Sequence, residues 1–216
     1  MSDYSRLKER HRAERDAWSP NLSLRVHRAL SWLLRAEQCT DDDSKFIFLW
    51  ISFNAAYAQE IPDNRRESER ERYAEFLGKL EALDADKELE KLAWNEFSGA
   101  FRVLLKNPYV FGLFWEFQRG NATQDEWEAA FRSANAAANA ALSRGETAIV
   151  FSVVLSRLYV LRNQLVHGGA TWNGSVNRDQ LRDACSIMGK FVPAVIQLMM
   201  DHPNALWGDP VFPVVN

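Results

Sequence analysis

Arg162, Asn163 and His167 lie close together at the end of a long apolar stretch, ETAIVFSVVLSRLYVLRNQLVHGG at 146–169. Side chains of these three types can do proton transfer beside an anion. Imidazole titrates near neutral pH, so His167 can take up or return a proton. The guanidinium of Arg162 is planar and keeps its charge, so it can direct several donors at a developing oxyanion. Asn163 precedes His167 by four residues and shares its helix face, where an amide can orient the ring or hold a phosphate oxygen. Tyr159, Ser156 and Ser152 continue the series backwards. Spacings of three and four draw one polar stripe along an otherwise apolar helix. The spacing also sets a condition. Residues five apart on a regular helix point about 140° away from each other, so Arg162 and His167 share a direction only if His167 lies past the last regular turn. Gly168-Gly169 predicts that ending. A purely structural reading stands beside this one, because Arg and His near a helix C-terminus also satisfy the last carbonyls and the negative end of the dipole.

The helix that carries these residues is apolar on nearly every side, which predicts a position in a large core. Arg157 and Arg162 interrupt it before it reaches the charge-free length a bilayer demands, so no membrane span is expected. A second stretch of the same character runs from Lys45 to Glu60, with Phe46, Phe48, Trp50 and Phe53 followed by Asn54 and Tyr57. Thr40-Asp41-Asp42-Asp43-Ser44 opens it, acids at the positive end of the dipole, and Ile61-Pro62 closes it.

Other helices follow from caps and breakers. Ser19-Pro20 starts one that reaches about Gln38. Residues 1–17 alternate in charge and read as a frayed or surface helix. After Pro62 the helices become ordinary amphipathic ones. The mixed charge run Arg65–Arg72 reads as a solvated face, and a helix is expected over about 87–106, ended by Asn107-Pro108. Tyr109–Gln118 is short and aromatic and reads as packing. Thr123-Gln124-Asp125-Glu126 is a capping box opening an alanine-rich helix. The last helix runs from Asn177 to about Met200 with Pro193 inside it, and the apolar tail reads as a strap laid on the body. No stretch carries a strand pattern, so the fold class is all-α.

With 216 residues and a net charge of −3, the chain has enough length for a sizeable core and no global basic field. Its two cysteines, Cys39 and Cys185, are far apart, and a reduced, cytoplasmic protein is the expectation. The four histidines show no ligand spacing on a shared face, so neither a metal nor a cofactor is expected.

Arg162-Asn163-Gln164-Leu165-Val166-His167 resembles the signature of the HEPN superfamily (higher eukaryotes and prokaryotes nucleotide-binding domains), in which an Arg, often followed by Asn, Asp or His, precedes a His by a few residues. FLWISFNAAY at 48–57 is similar to the second helix of larger bacterial members, including the Apea-like group. Arg6 and His11 repeat the spacing in the charged N-terminal segment and are set aside, since that segment has little to bury. The resemblance implies a HEPN-type helical bundle within a single domain over 1–216. Its core would be about 19–62 and 146–201, with a helical insertion at about 63–145 and a C-terminal strap at 202–216. It also implies metal-independent RNA cleavage by attack of the ribose 2′-hydroxyl, giving a 2′,3′-cyclic phosphate, in a toxin or phage-defence setting. Arg162, His167 and Asn163 would be the catalytic residues, with Asn54, Tyr57 and Tyr159 as further substrate-binding candidates. RNA would be the substrate, and an antitoxin or effector a partner. The alternative is a non-catalytic HEPN module that binds a nucleotide, RNA or a protein.

HEPN motifs meet across a two-fold axis, and the apolar 146–167 helix offers more surface than a four-helix core needs, so a homodimer is expected. Light scattering at micromolar concentration should give twice the chain mass; a clean monomer there removes the composite-site expectation.

Overall fold

The computed structural model describes residues 2–58, 69–175 and 177–212, with 69–72 described as backbone only. The described residues form ten α-helices joined by short 3₁₀ and π turns, with no strand among them, as the periodicity predicts. They group into two compact units, one of residues 1–68 with 181–216 and the other of residues 69–180. These boundaries differ from the expected core of about 19–62 and 146–201, because the motif-bearing helix falls in the same unit as the helices of the expected insertion. The end of the Lys45–Glu60 stretch at Ile61-Pro62 and the side chains of the 65–72 charge run lie outside the described residues.

The first unit contains α1 (Asp3–Glu14), α2 (Pro20–Glu37), α3 (Asp42–Tyr57) and most of α10 (Arg178–Asp201). Ser19 caps α2, its Oγ accepting from the Leu22 N–H at 3.2 Å, and Asp41 caps α3 by accepting from the Ser44 N–H at 2.8 Å. Ser19 is the cap the sequence predicts, and Asp41 supplies the cap within the acidic start expected at 40–44. Leu22, Val26, Ala29, Leu30 and Leu33 form the buried stripe of α2, and Phe46, Leu49, Trp50 and Phe53 are buried on α3. A buried hydroxyl ties the two helices, Ser52 Oγ donating to the Ala29 carbonyl at 2.7 Å. Phe53 meets the ring of Phe191 on α10 at 5.6 Å, and Pro193 sits buried within that helix.

Of the two forms expected for the N-terminal segment, a frayed or a surface helix, it takes the second, regular over Asp3–Glu14, but Leu7 and His11 on it are fully buried. Two side chains on one face, a turn apart, supply its inward stripe. Its charged side chains reach outward to fixed partners: Arg6 donates to Gln197 Oε1 at 2.7 Å, Arg10 pairs with Glu14 and Asp201, and the Tyr4 N–H donates to Glu37.

The strap is held by a buried guanidinium. Arg25 is 1% exposed. Its Nε and Nη2 donate to the Ala56 carbonyl in the last turn of α3, and its Nη1 donates to the carbonyls of Trp207 and Gly208. Arg28 reaches the Phe212 carbonyl at 2.6 Å, and the Trp207 ring is buried. Backbone oxygens thus replace carboxylates as partners of a buried charge. Burial pushes the Arg25 pKa down to about 10, opposed by the charge of Asp209, so the group stays protonated at neutral pH.

In the second unit the helix expected over 87–106 is broken into α5 (Glu88–Lys91), a π turn at Leu92–Glu96 and α6 (Ser98–Lys106), following α4 (Glu69–Leu83). Leu89, Ala93, Phe97 and Phe101 are all buried. Repeated spacings of four drift by about 40° per step on a regular helix, and a widened turn keeps such residues on one side. The remaining elements are a 3₁₀ turn at Pro108–Val110, α7 (Gly112–Gln118), α8 (Gln124–Arg144) and α9 (Thr147–Val166). The capping box at Thr123 forms in full, and Gly145 ends α8 at φ 72°.

Replacing Arg25 by Ala leaves the Ala56, Trp207 and Gly208 carbonyls without their buried donor. The expected loss is about 3–5 kcal/mol of unfolding free energy, read from urea denaturation, with new protease cleavage near residue 207. A variant as stable and as protease-resistant as the parent contradicts this role of the guanidinium.

Candidate functional site

α9 is enclosed within its unit by side chains from the helices before it. Val150, Phe151, Val154, Leu155, Leu158 and Leu161 are buried on it, and Phe151 lies edge-on to Phe101 at 5.6 Å. The helix is long and apolar enough by length and composition to cross a membrane, with a mean hydropathy of 1.4, a test that buried core helices also pass.

The polar stripe grades from interior to surface along the helix. Ser152 is buried, and Ser156 folds its Oγ back onto the Ser152 carbonyl at 2.8 Å. That satisfies the hydroxyl within the helix itself. Tyr159, Arg162 and Asn163 are half-buried, and His167 is exposed.

α9 ends where the two glycines predict. The Gly169 N–H donates to the Gln164 carbonyl at 2.7 Å and the Gly168 N–H to the Leu165 carbonyl at 3.2 Å. With Gly168 at φ 69°, these two bonds make a Schellman ending. His167 is the C-cap residue, with φ −94° and ψ 13°, so the regular helix ends at the residue before it. A Cβ on Gly169 would sit 3.2 Å from the Gln164 carbonyl oxygen, which explains why the second position also favours glycine.

Arg162 Nη1 donates to Asn163 Oδ1 at 2.9 Å, and its guanidinium carbon lies 6.0 Å from the centre of the Tyr159 ring. The side-chain oxygen of Asn163 is therefore given to Arg162 and not to the His167 ring, one of the two partners its spacing allowed, the other being a phosphate oxygen. Its backbone carbonyl accepts the His167 N–H at 3.0 Å. Arg162, Asn163, Tyr159 and His167 thus lie on one helix end. Asn54 and Tyr57 lie on α3 in the first unit, where Tyr57 is a buried ring stacked on Phe53 at 4.9 Å and the Asn54 carbonyl accepts the Ala58 N–H. Among the described residues no cluster of three His, Cys, Asp or Glu side chains is placed to share a metal ion.

Two residues that position this end are not singled out by the motif pattern. Gln164 donates to the Tyr109 carbonyl at 2.7 Å and accepts from Asn177 Nδ2 at 2.8 Å. It pins the motif turn to the 3₁₀ turn before α7 and to the loop before α10. Its sequence signal is a polar side chain off the stripe in an apolar helix. Arg157 is the other. It is 3% exposed, and its guanidinium carbon lies 4.4 Å from the Phe111 ring centre and 5.3 Å from that of Phe131. Nη2 donates to Asn135 Oδ1 at 3.2 Å, while the buried Nη1 has no hydrogen-bond partner among the described residues. Burial pushes its pKa down to about 10, which leaves it charged at neutral pH. Phe111 of the aromatic run thus packs on a cation, while α7 has no fully buried residue and Tyr109 is 52% exposed.

No family model matches the chain, and no curated protein or solved structure is detectably similar to it.

A buried cation without an acid costs desolvation that a hydrophobe of similar length avoids. Arg157→Met should therefore unfold at the same or a higher urea concentration than the parent. Arg157→Ala, which opens a cavity between Phe111 and Phe131, should lose about 2–4 kcal/mol. If Met is as damaging as Ala, the guanidinium itself is the source of stability.

Proposed function

We propose that the Arg162–His167 end of α9 is the catalytic element of a metal-independent endoribonuclease of the HEPN type. The observation that carries this reading is the placement of His167. It is an exposed imidazole at the C-cap, outside the regular helix and without a side-chain partner among the described residues, one turn beyond a guanidinium held on Asn163.

In the proposed reaction His167 takes the proton from a ribose 2′-hydroxyl as that oxygen attacks the adjacent phosphorus. The bond to the 5′-oxygen breaks, and a proton delivered to that oxygen completes a free 5′-hydroxyl and a 2′,3′-cyclic phosphate. Arg162 stabilises the extra negative charge on the phosphorane oxygens. In a homodimer, a second His167 across the two-fold axis would supply the proton to the leaving oxygen. Asn163 acts by holding Arg162, and Tyr159 supports the guanidinium from the other side. The setting proposed for this activity is a toxin or phage-defence system in the cytoplasm, with RNA as substrate and an antitoxin or effector as partner. The engagement of Asn163 with Arg162, rather than with the imidazole, is the feature that favours the second reading, a HEPN module that binds a nucleotide, RNA or protein without cleaving it.

Cleavage of total RNA by the purified chain should persist in EDTA. His167→Ala should slow it by roughly 10²–10⁴-fold, and Arg162→Ala by about 10²-fold or more. Asn163→Ala should be milder, and all three should remain folded. Cleavage that requires added magnesium, or a His167→Ala variant as fast as the parent, rules the mechanism out and leaves the binding module.

A further inference from the structure

The first unit holds a cluster of like charge that the motif on α9 does not use. Lys8 and His11 on α1 and Arg15 in the turn after it lie near His27 on α2, with the charges of Arg12 and Arg28 within electrostatic reach. The His11 and His27 ring centres are 6.0 Å apart, and Lys8 Nζ lies 3.3 Å from His27 Nδ1. An ammonium can only donate, so Nδ1 of His27 is the acceptor and the proton of the neutral ring sits on Nε2. His11 Nε2 lies 3.3 Å from the Ser23 carbonyl, while its Nδ1 is buried without a partner in a side chain only 1% exposed.

Between these groups lies an open cavity of about 590 Å³. Its polar lining is His11, Arg15, Asn21, Ser23 and His27. Pro20 to Leu24, the first turns of α2, form one wall, so the positive end of an eighteen-residue helix adds to the field. Acids nearby do little to neutralise it. Glu14 turns to Arg10 at 2.7 Å, Asp16 meets Arg15 only at 3.6 Å with its side chain 94% exposed, and Asp209 accepts from Asn21 at 2.5 Å.

Crowding of like charge shows in the titration of the cluster. Burial first, then the charges of Lys8, Arg15 and Arg28, hold His27 below the ordinary histidine pKa. Burial, opposed by the Ser23 carbonyl and reinforced by Lys8, His27 and Arg15, does the same to His11. Burial, with Arg12 and Arg15, lowers Lys8. A site that suppresses its own positive charge when empty gains it when an anion enters. The cavity is larger than a bare tetrahedral anion needs and falls within the size range of small-ligand sites.

We propose that this cavity binds the phosphoryl group of a phosphomonoester of nucleotide size, with Arg15 and the Nε2–H of His27 as donors at the amino end of α2 and Lys8 adding its charge from behind His27. The site lies in a different unit from the Arg162–His167 end and stands or falls independently of it. Its occupant is recognised by a dianionic oxyanion head and accommodated by the apolar Pro20 and Leu24 beside it.

The test is calorimetric titration of the full chain with adenosine 5′-monophosphate, sulfate and adenosine. The nucleotide should bind saturably, sulfate more weakly, and adenosine not at all. Arg15→Gln and His27→Gln should each weaken nucleotide binding by about tenfold or more, whereas His167→Ala should leave it unchanged. Sulfate stays doubly charged across the histidine range, so its affinity should rise as pH falls from about 8 to about 6, because the bound anion favours both imidazolium forms. In the absence of anion, the lowered histidine pKa values should make the fold lose stability as pH drops below about 6.5, and sulfate should reduce that loss. Failure of the nucleotide to bind overturns the proposal. So does sulfate binding as tightly as the nucleotide, nucleotide binding untouched by Arg15→Gln and His27→Gln, or sulfate affinity that is flat with pH.

Discussion

A helix apolar over most of its circumference has to be covered, and α9 is covered within the second unit. Its buried residues spread over a wide arc of the axis, too broad for one neighbouring helix to cover. Helices α4, α6 and α8 and the aromatic turn before α7 share the work. The π turn at Leu92–Glu96 belongs to the same constraint, since it keeps Phe97 and Phe101 directed inward where a regular helix would have turned them away. Ile149, Val153, Ser156 and Val160 leave part of α9 incompletely covered along its length, and exposure is greatest at its last turn, around Val166 and His167.

Two buried arginines show two ways to keep a charge inside without an acid. Arg25 spends its donors on backbone carbonyls at the end of α3 and in the strap, joining elements that are remote in the chain. Arg157 rests against the faces of Phe111 and Phe131 and leaves one nitrogen unsatisfied. Carbonyl partners supply directed hydrogen bonds, whereas ring faces supply a weaker and less directional attraction. The first arrangement is a fastener. The second tolerates a polar atom for the sake of filling space between two aromatic rings.

Charge is distributed so that a chain with a net charge of −3 still presents local positive fields. Around His11 and His27 the cations gather from α1 and α2 with few acids turned toward them, while elsewhere on α1 Arg6 and Arg10 are neutralised by Asp3, Glu14 and Asp201. The same short helix therefore has a paired side and an unpaired side.

Helix positions were legible from local chemistry, because caps, glycine stops and apolar periodicity act within a few residues. Ser19, Asp41, Thr123 and Gly145 each end or begin a helix where their side chains or backbone freedom require it. The polar stripe of α9 and the release of His167 at Gly168-Gly169 were legible for the same reason. Burial of the first helix was not, since two inward side chains among nine charged or polar ones leave almost no periodic signal, and Leu7 and His11 gain their meaning only from α2 opposite them. Which helices enclose α9 was also beyond the pattern, because an apolar surface specifies that it must be covered but not by what. The partner of Asn163 was decided the same way. A side-chain amide can reach either the residue beside it or the one a turn later, and only the three-dimensional placement of Arg162 against Tyr159 selected between them.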